Sequence, residues 1–244
     1  MEPSYYADYH RWEREHWWFI ARRRIIGRLL DDYAGKGVGS VLEVGCGTGG
    51  MAPLLAKYGR TTAIDASAAV VPYVRGAYRA FAAMEAEALG IRSGSFDLVM
   101  ALDVIEHTDD ARALREIHRV CRPGGLAVVT VPAFRFLWGR QDVISHHRRR
   151  YRKGEVGALI RAAGFRVIRL SYFNTLLFPA VAALRLAMRW LPATAPAEKR
   201  SDFGLFETGP LAKASLALFS LEARVLPFVS LPFGVSVVCV ARKG

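Results

Sequence analysis

The sequence has only three cysteines, Cys46, Cys121 and Cys239. They are too few and too scattered for a disulfide framework, and without CxxC spacing they offer no structural zinc site. No metal is expected. Long apolar runs are also missing. The longest charge-free stretch, Val225–Ala241, carries Pro227, Pro232 and Gly234 and does not read as one spanning helix. The N-terminus, Met1–Arg24, is rich in charge and tryptophan, unlike a secretory signal. A cytoplasmic protein is expected, with any membrane contact peripheral and at the inner face. Internal repeats and low-complexity tracts are absent. Lysine is scarce: 6 of the 34 basic residues, the other 28 being arginine.

The chain has 244 residues, 52% hydrophobic and 23% charged, a globular balance that needs no staples to build a core. Its net charge of +12 is unevenly placed. Residues 1–131 hold 16 basic and 16 acidic side chains, whereas residues 132–244 hold 18 and 6. A neutral half joined to a basic half points to an anionic partner for the second.

Residues 8–34 read as one helix, and Gly35–Ser40 breaks it. Val41–Val44, Thr61–Ile64, Arg79–Met84, Phe96–Ala101 and Leu126–Val131 read as strands. Helices are expected at 51–58, after Ser67, and at 109–120 with Thr108 as the cap. Strand and helix alternate, so the units are βαβ and the sheet is mostly parallel. After Pro132 comes a loop, 134–151, then a helix at 155–163 and a strand at 165–172. Two apolar helices, 176–191 and 211–226, flank a polar stretch, 192–204. The last strand is 235–241.

The most specific segment is Val41-Leu42-Glu43-Val44-Gly45-Cys46-Gly47-Thr48-Gly49-Gly50. A strand running into clustered glycines and then a helix lets backbone approach a ligand closely. The helix start offers free N–H groups to an anion. Asp65 closes the next strand, where a carboxylate can hold ribose hydroxyls. Glu43 and the glycine spacing disfavour a nicotinamide or flavin site.

This segment resembles motif I of the class I S-adenosylmethionine (SAM)-dependent methyltransferases. Ser95–Val99, Asp103-Val104-Ile105-Glu106-His107 and Arg122-Pro123-Gly124-Gly125 resemble that family's fourth strand, post-strand segment and turn before strand five. The resemblance implies an α/β, Rossmann-like fold with a seven-stranded, mostly parallel sheet. It implies SAM as cofactor. Gly45, Gly47 and Gly49 would bend under the methionine part, Glu43 would reach its amino group, and Asp65 would bind the ribose. Glu85 and Ala86 would contact adenine. Leu102 and Asp103 would line the pocket near the sulfonium, with His107 at its rim.

His16-Trp17-Trp18-Phe19, followed by Arg22-Arg23-Arg24, resembles the HWWF-x-x-R opening of some bacterial relatives. That resemblance implies a lid over the SAM pocket, with Trp18 excluding water and Arg22 facing the cofactor. The implied organisation is a helical lid (1–36), a SAM-binding core (37–174), a helical insertion or substrate cap (175–233) and the core's last strand (234–244).

A hydroxyl acceptor needs a base, and histidine has a suitable pKa range. The loop 141–151 should overhang the crevice at the strand ends. It resembles the D-x-x-x-x-G-H-x-R-R-Y element of the same relatives. His147 is the expected base, with His146 and Tyr151 as alternatives. Arg148, Arg149 and Arg150 could bind a phosphate or carboxylate. Leu177, Val181, Leu184, Met188 and Leu191 form one helical face, with Arg185 and Arg189 beside it. The two apolar helices read as buried core, as a cap for an apolar substrate, or as a membrane-surface element. The expected function is O-methylation of a small-molecule, lipid-linked or saccharide-type acceptor. The alternatives are an RNA methyltransferase using RRRYRK (148–153) and a non-catalytic SAM-fold partner protein. Nucleic acid is disfavoured, because the insertion is greasy rather than basic and aromatic.

Overall fold

A computed structural model describes residues 5–35, 38–190 and 207–244, the side chains of 188–190 excepted. The chain opens with two helices, α1 (Tyr6–Glu15) and α2 (Trp17–Tyr33). The core follows as β1 (Ser40–Val44), α3 (Ala52–Leu55), β2 (Arg60–Asp65), α4 (Val71–Val74), β3 (Ala80–Ala83) and β4 (Phe96–Leu102). Next come α5 (Asp110–Val120), β5 (Cys121–Pro132), α6 (Arg140–Ile144), α7 (Lys153–Ala162) and β6 (Phe165–Phe173). Two helices, α8 (Phe178–Trp190) and α9 (Gly209–Val225), precede β7 (Ser236–Lys243).

The seven strands lie in the order β3-β2-β1-β4-β5-β7-β6. The pairs from β3 to β5 are parallel, and β7 runs antiparallel to both β5 and β6. Apolar side chains alternate between the two faces, as the pleat requires. On β4, Val99 and Ala101 join Leu114 and Ile117 of α5, whereas Leu98 and Met100 join Ile25, Ile26 and Leu29 of α2 and Phe219 of α9. The sheet is therefore covered on both faces, and the expected fold is the one observed.

Several local expectations are corrected. The single helix over 8–34 is two helices, because His16 is extended (φ −73°, ψ 134°) and its Nδ1 accepts from Trp18 N, capping α2. Thr108 does not cap α5. Its hydroxyl donates to Ile105 O, and Asp109 is the cap, accepting from Arg112 N. The loop 134–151 contains α6. Leu191 and the stretch 192–204 lie outside the described residues, as do the side chains of Met188 and Arg189.

Candidate active site

β1 turns sharply after Val44. Gly45, Gly47 and Gly49 hold φ values of +68°, +53° and +84°, the region only glycine enters freely. A Cβ at Gly45 would also collide with Val104 Cγ2. The bend opens onto a cavity of about 750 Å³ at the carboxyl ends of the parallel strands. One end is lined by Glu43, Gly45, Gly47, Asp65, Glu85 and Ala86. Trp18, Arg22, Leu102, Asp103, His107, His146 and His147 line it further along. Two expected site residues are not in its wall. Gly49 completes the turn, donating from N to Cys46 O, and its place faces Tyr78. Tyr151 is fully buried outside the cavity. Its hydroxyl donates to Asp110 Oδ2 at 2.9 Å, which removes it as a base.

At the glycine end, Asp65 accepts from Gly47 N and Ser67 N, both at 2.9 Å, which fixes its carboxylate at the strand tip. Glu43 is buried and accepts from the Tyr78 hydroxyl at 2.6 Å. Burial pushes its pKa up to about 8, against that hydrogen bond. Asp103 sits at φ +56°, accepts from Thr130 Oγ1 and pairs with Arg22 Nη2 at 2.6 Å. Arg22 is itself buried, lies 5.1 Å from the Trp18 ring centroid and donates to Thr130. The α1 helix is tied down by Glu13, whose carboxylate accepts from the Thr48 hydroxyl and from Gly50 N at 3.1 Å. Glu13 was not among the expected site residues, because its partners lie more than thirty positions away.

A second cluster in the site is built around His147. Its Nδ1 lies 2.8 Å from Asp142 Oδ1, and Arg150 grips both oxygens of that carboxylate at 2.8 and 2.9 Å. Burial works to raise Asp142, but hydrogen bonds from His147 and Arg150 prevail and hold it down to about 2. An ionised carboxylate only accepts, so the hydrogen of this contact is on His147 Nδ1, which leaves Nε2 as the ring nitrogen not engaged by Asp142. Nε2 lies 3.9 Å from Glu106 Oε1. Glu106 is fully buried and neither of its oxygens has a hydrogen-bond partner among the described residues. Burial, with Asp103 nearby, raises its pKa well above the usual carboxylate range. His107 packs edge-on against His147 at 4.7 Å, and burial followed by the charge of His147 lowers its pKa to about 4. Glu106, His107 and His147 each offer one ligand atom within 4.8 Å of the others, so this corner has the donors for a divalent cation. Neither Asp142 nor Glu106 stood out in the sequence as a site residue; only the fold places them beside His147.

The run Arg148–Arg150 is not a free anion clamp. Arg150 is spent on Asp142, and Arg149 pairs with Glu155 at 2.7 Å and Asp110 at 3.5 Å. Among the described residues, Arg148 alone of the three is exposed without such a carboxylate.

The cavity suits SAM. Side-chain-free backbone at Gly45 and Gly47 admits close approach, and Glu43 and Asp65 line the cavity where they could meet the amino group and the ribose hydroxyls of SAM. No described helix is long and apolar enough to cross a membrane.

Residues 42–129 match a family described as a methyltransferase domain. A probable S-adenosylmethionine-dependent methyltransferase of Mycolicibacterium smegmatis is 34% identical over 159 residues, which is 63% of this chain and 61% of that protein. A ubiquinone biosynthesis O-methyltransferase of Pseudomonas paraeruginosa is 30% identical over 160 residues, 57% of this chain and 69% of that protein. A crystal structure titled as a SAM-dependent methyltransferase, possible histamine N-methyltransferase, from Thermotoga maritima superposes with a TM-score of 0.59 at 20% identity, covering 99% of this chain and 98% of that one. At that identity the likeness speaks for the fold alone. The chain spans about three fifths of the length of the first mycobacterial relatives. With its glycine bend, its seven-stranded sheet and these matches, the chain belongs to the class I SAM-dependent methyltransferases, whose cofactor is SAM.

Proposed function

We propose that this chain transfers a methyl group from SAM to a hydroxyl oxygen of its acceptor, with His147 as general base. Bound SAM supplies a methyl group on a sulfonium, already activated for in-line displacement, so the protein's work is alignment and proton removal. Glu43 and Asp65 hold the two polar ends, and the Gly45–Gly47 backbone sets the depth. Trp18 and the Arg22–Asp103 pair close the wall beside the reacting centre, where excluding water protects the donor.

The observation that carries the oxygen reading is the Asp142–His147 pair, whose histidine lines the cavity. Asp142 fixes the ring and its tautomer, so Nε2 can take the acceptor's proton as oxygen attacks carbon. Arg150 keeps Asp142 ionised and in place. Glu106, its pKa raised by burial, does not compete as a second anion. The nucleic-acid reading has less behind it, since Arg149 and Arg150 are already paired within the chain.

The test is His147→Ala, assayed by transfer of labelled methyl to a 4-alkylcatechol. Turnover is expected to fall about 10²- to 10⁴-fold, the usual range for losing a general base. Affinity for S-adenosylhomocysteine, read by calorimetry, is expected to hold. Full turnover in the variant refutes the base.

A further inference from the structure

The helix α8 is apolar over its described length except at Arg185, yet none of residues 178–187 is buried. Phe178 packs with Phe134, Phe136 and Phe233. Ala180, Val181 and Leu184 belong to none of the apolar clusters that make up the core. An apolar helix face with no partner is unstable in water, because its burial supplies most of a helix's stability. That face is directed at the cavity instead: Leu177, Ala180, Val181 and Leu184, at spacings of three, one and three, all line it. Trp17 of α2 and Leu211 of α9 line it too, as does Arg185 of α8. The lining thus joins the polar groups of the glycine bend and His147 to a mainly aliphatic arm along α8. Leu184 and Leu211 line this arm and are also 46% and 53% exposed, so the arm reaches the surface through an apolar mouth.

We propose that the acceptor is an amphiphile, with a hydroxylated head at His147 and an apolar tail lying along α8 toward the Leu184–Leu211 mouth. This rests on the hydroxyl-methylation reading above and names the acceptor's class. From Leu177 to Leu184 the helix rises about 10 Å, room for an alkyl chain of roughly eight carbons. Longer tails emerge between Leu184 and Leu211 and gain nothing more. Such a tail supplies apolar contact that Ala180, Val181 and Leu184 do not find in the core clusters of the described residues. The head can be phenolic or a sugar, since both offer hydroxyls to His147.

The test is calorimetric binding to the protein saturated with S-adenosylhomocysteine, at ligand concentrations below micelle formation. Two series are compared, 4-alkylcatechols and n-alkyl glucosides, each with tails of one to twelve carbons. Each methylene is expected to tighten binding about threefold to fourfold up to roughly eight carbons, then to add little, as burial of CH₂ groups predicts. The series that responds identifies the head. Val181→Asp and Leu184→Asp stand on a helix with no buried side chain in its described length, so the fold is expected to persist. They should flatten the chain-length dependence while S-adenosylhomocysteine binding stays unchanged. A flat dependence in both series, or a slope that survives in both variants, overturns the amphiphile. Failure to bind S-adenosylhomocysteine would instead strike at the methyl-transfer reading.

Discussion

Glu43→Gln should change how the protein's stability depends on pH. Glu43 is only 4% exposed, and burial outweighs the Tyr78 hydrogen bond to raise its pKa to about 8. In the unfolded chain the same carboxyl titrates near 4.3, the ordinary glutamate value. Between these values the folded state holds a proton that the unfolded state has released. Stability contributed at this site is therefore full below about pH 4.5, and it falls as pH rises until the folded group ionises near 8. Each pH unit inside that window costs about 1.4 kcal/mol, so the loss from pH 5 to pH 9 is roughly 4 kcal/mol as an upper bound. Glutamine keeps the shape and cannot titrate. Urea unfolding followed by tryptophan fluorescence at pH 5, 7 and 9, at fixed ionic strength, reads the difference directly. Other buried carboxyls, Glu13, Glu106 and Glu222, also have raised pKa values, so the wild-type slope alone is not diagnostic. The variant-minus-wild-type difference isolates Glu43 and should move in the variant's favour as pH rises. A difference that stays constant from pH 5 to pH 9 refutes the reasoning.

Two further substitutions probe the scaffold. Gly45→Ala puts a side chain at φ +68° and against Val104, so a loss of about 2–4 kcal/mol is expected, together with weakened S-adenosylhomocysteine binding; an unchanged melting midpoint would count against the close packing of the bend. Glu222→Gln disturbs the carboxylate of α9 that accepts from the backbone N–H groups of Asn174, Thr175 and Leu176 at 2.6–3.0 Å. A loss of about 1–3 kcal/mol is expected, with faster amide exchange confined to 174–176; slow exchange there would show that the carboxylate is not what orders the turn.

The parts of this protein that could be read from sequence are those whose cause is local. The glycines at 45 and 47 announce a backbone that must enter the left-handed region, and Asp65 ends its strand where the motif's geometry needs a carboxylate. The βαβ rhythm follows from the alternation of short apolar runs with capped helices. Other features depend on partners brought together only by folding. His16 looks like one more residue of a long amphipathic helix, and only its ring nitrogen on Trp18 N makes it a break. Asp109 and Thr108 are both good caps, and neighbouring geometry decides between them. Asp142 sits five residues before His147 and eight before Arg150, but its contact with both comes from the turn through His146, at φ +55°. Tyr151 matched its motif and still points away, because burial against Asp110 decides where its hydroxyl goes. Glu13 reaches the glycine bend across more than thirty residues, a pairing no periodicity encodes.

The two helices α8 and α9 leave and re-enter the sheet at adjacent strand ends, since Phe173 and Ser236 are register partners on β6 and β7. The chain thus leaves β6 and enters β7 through a doorway one strand-spacing wide, while the glycine bend and Asp65 hang from β1 and β2 on the far side of β4. Because α9 also sets Phe219 against α2 and the sheet, a segment grafted through this doorway would have to rebuild that buried face to leave α2, and with it Trp18 and Arg22, in place.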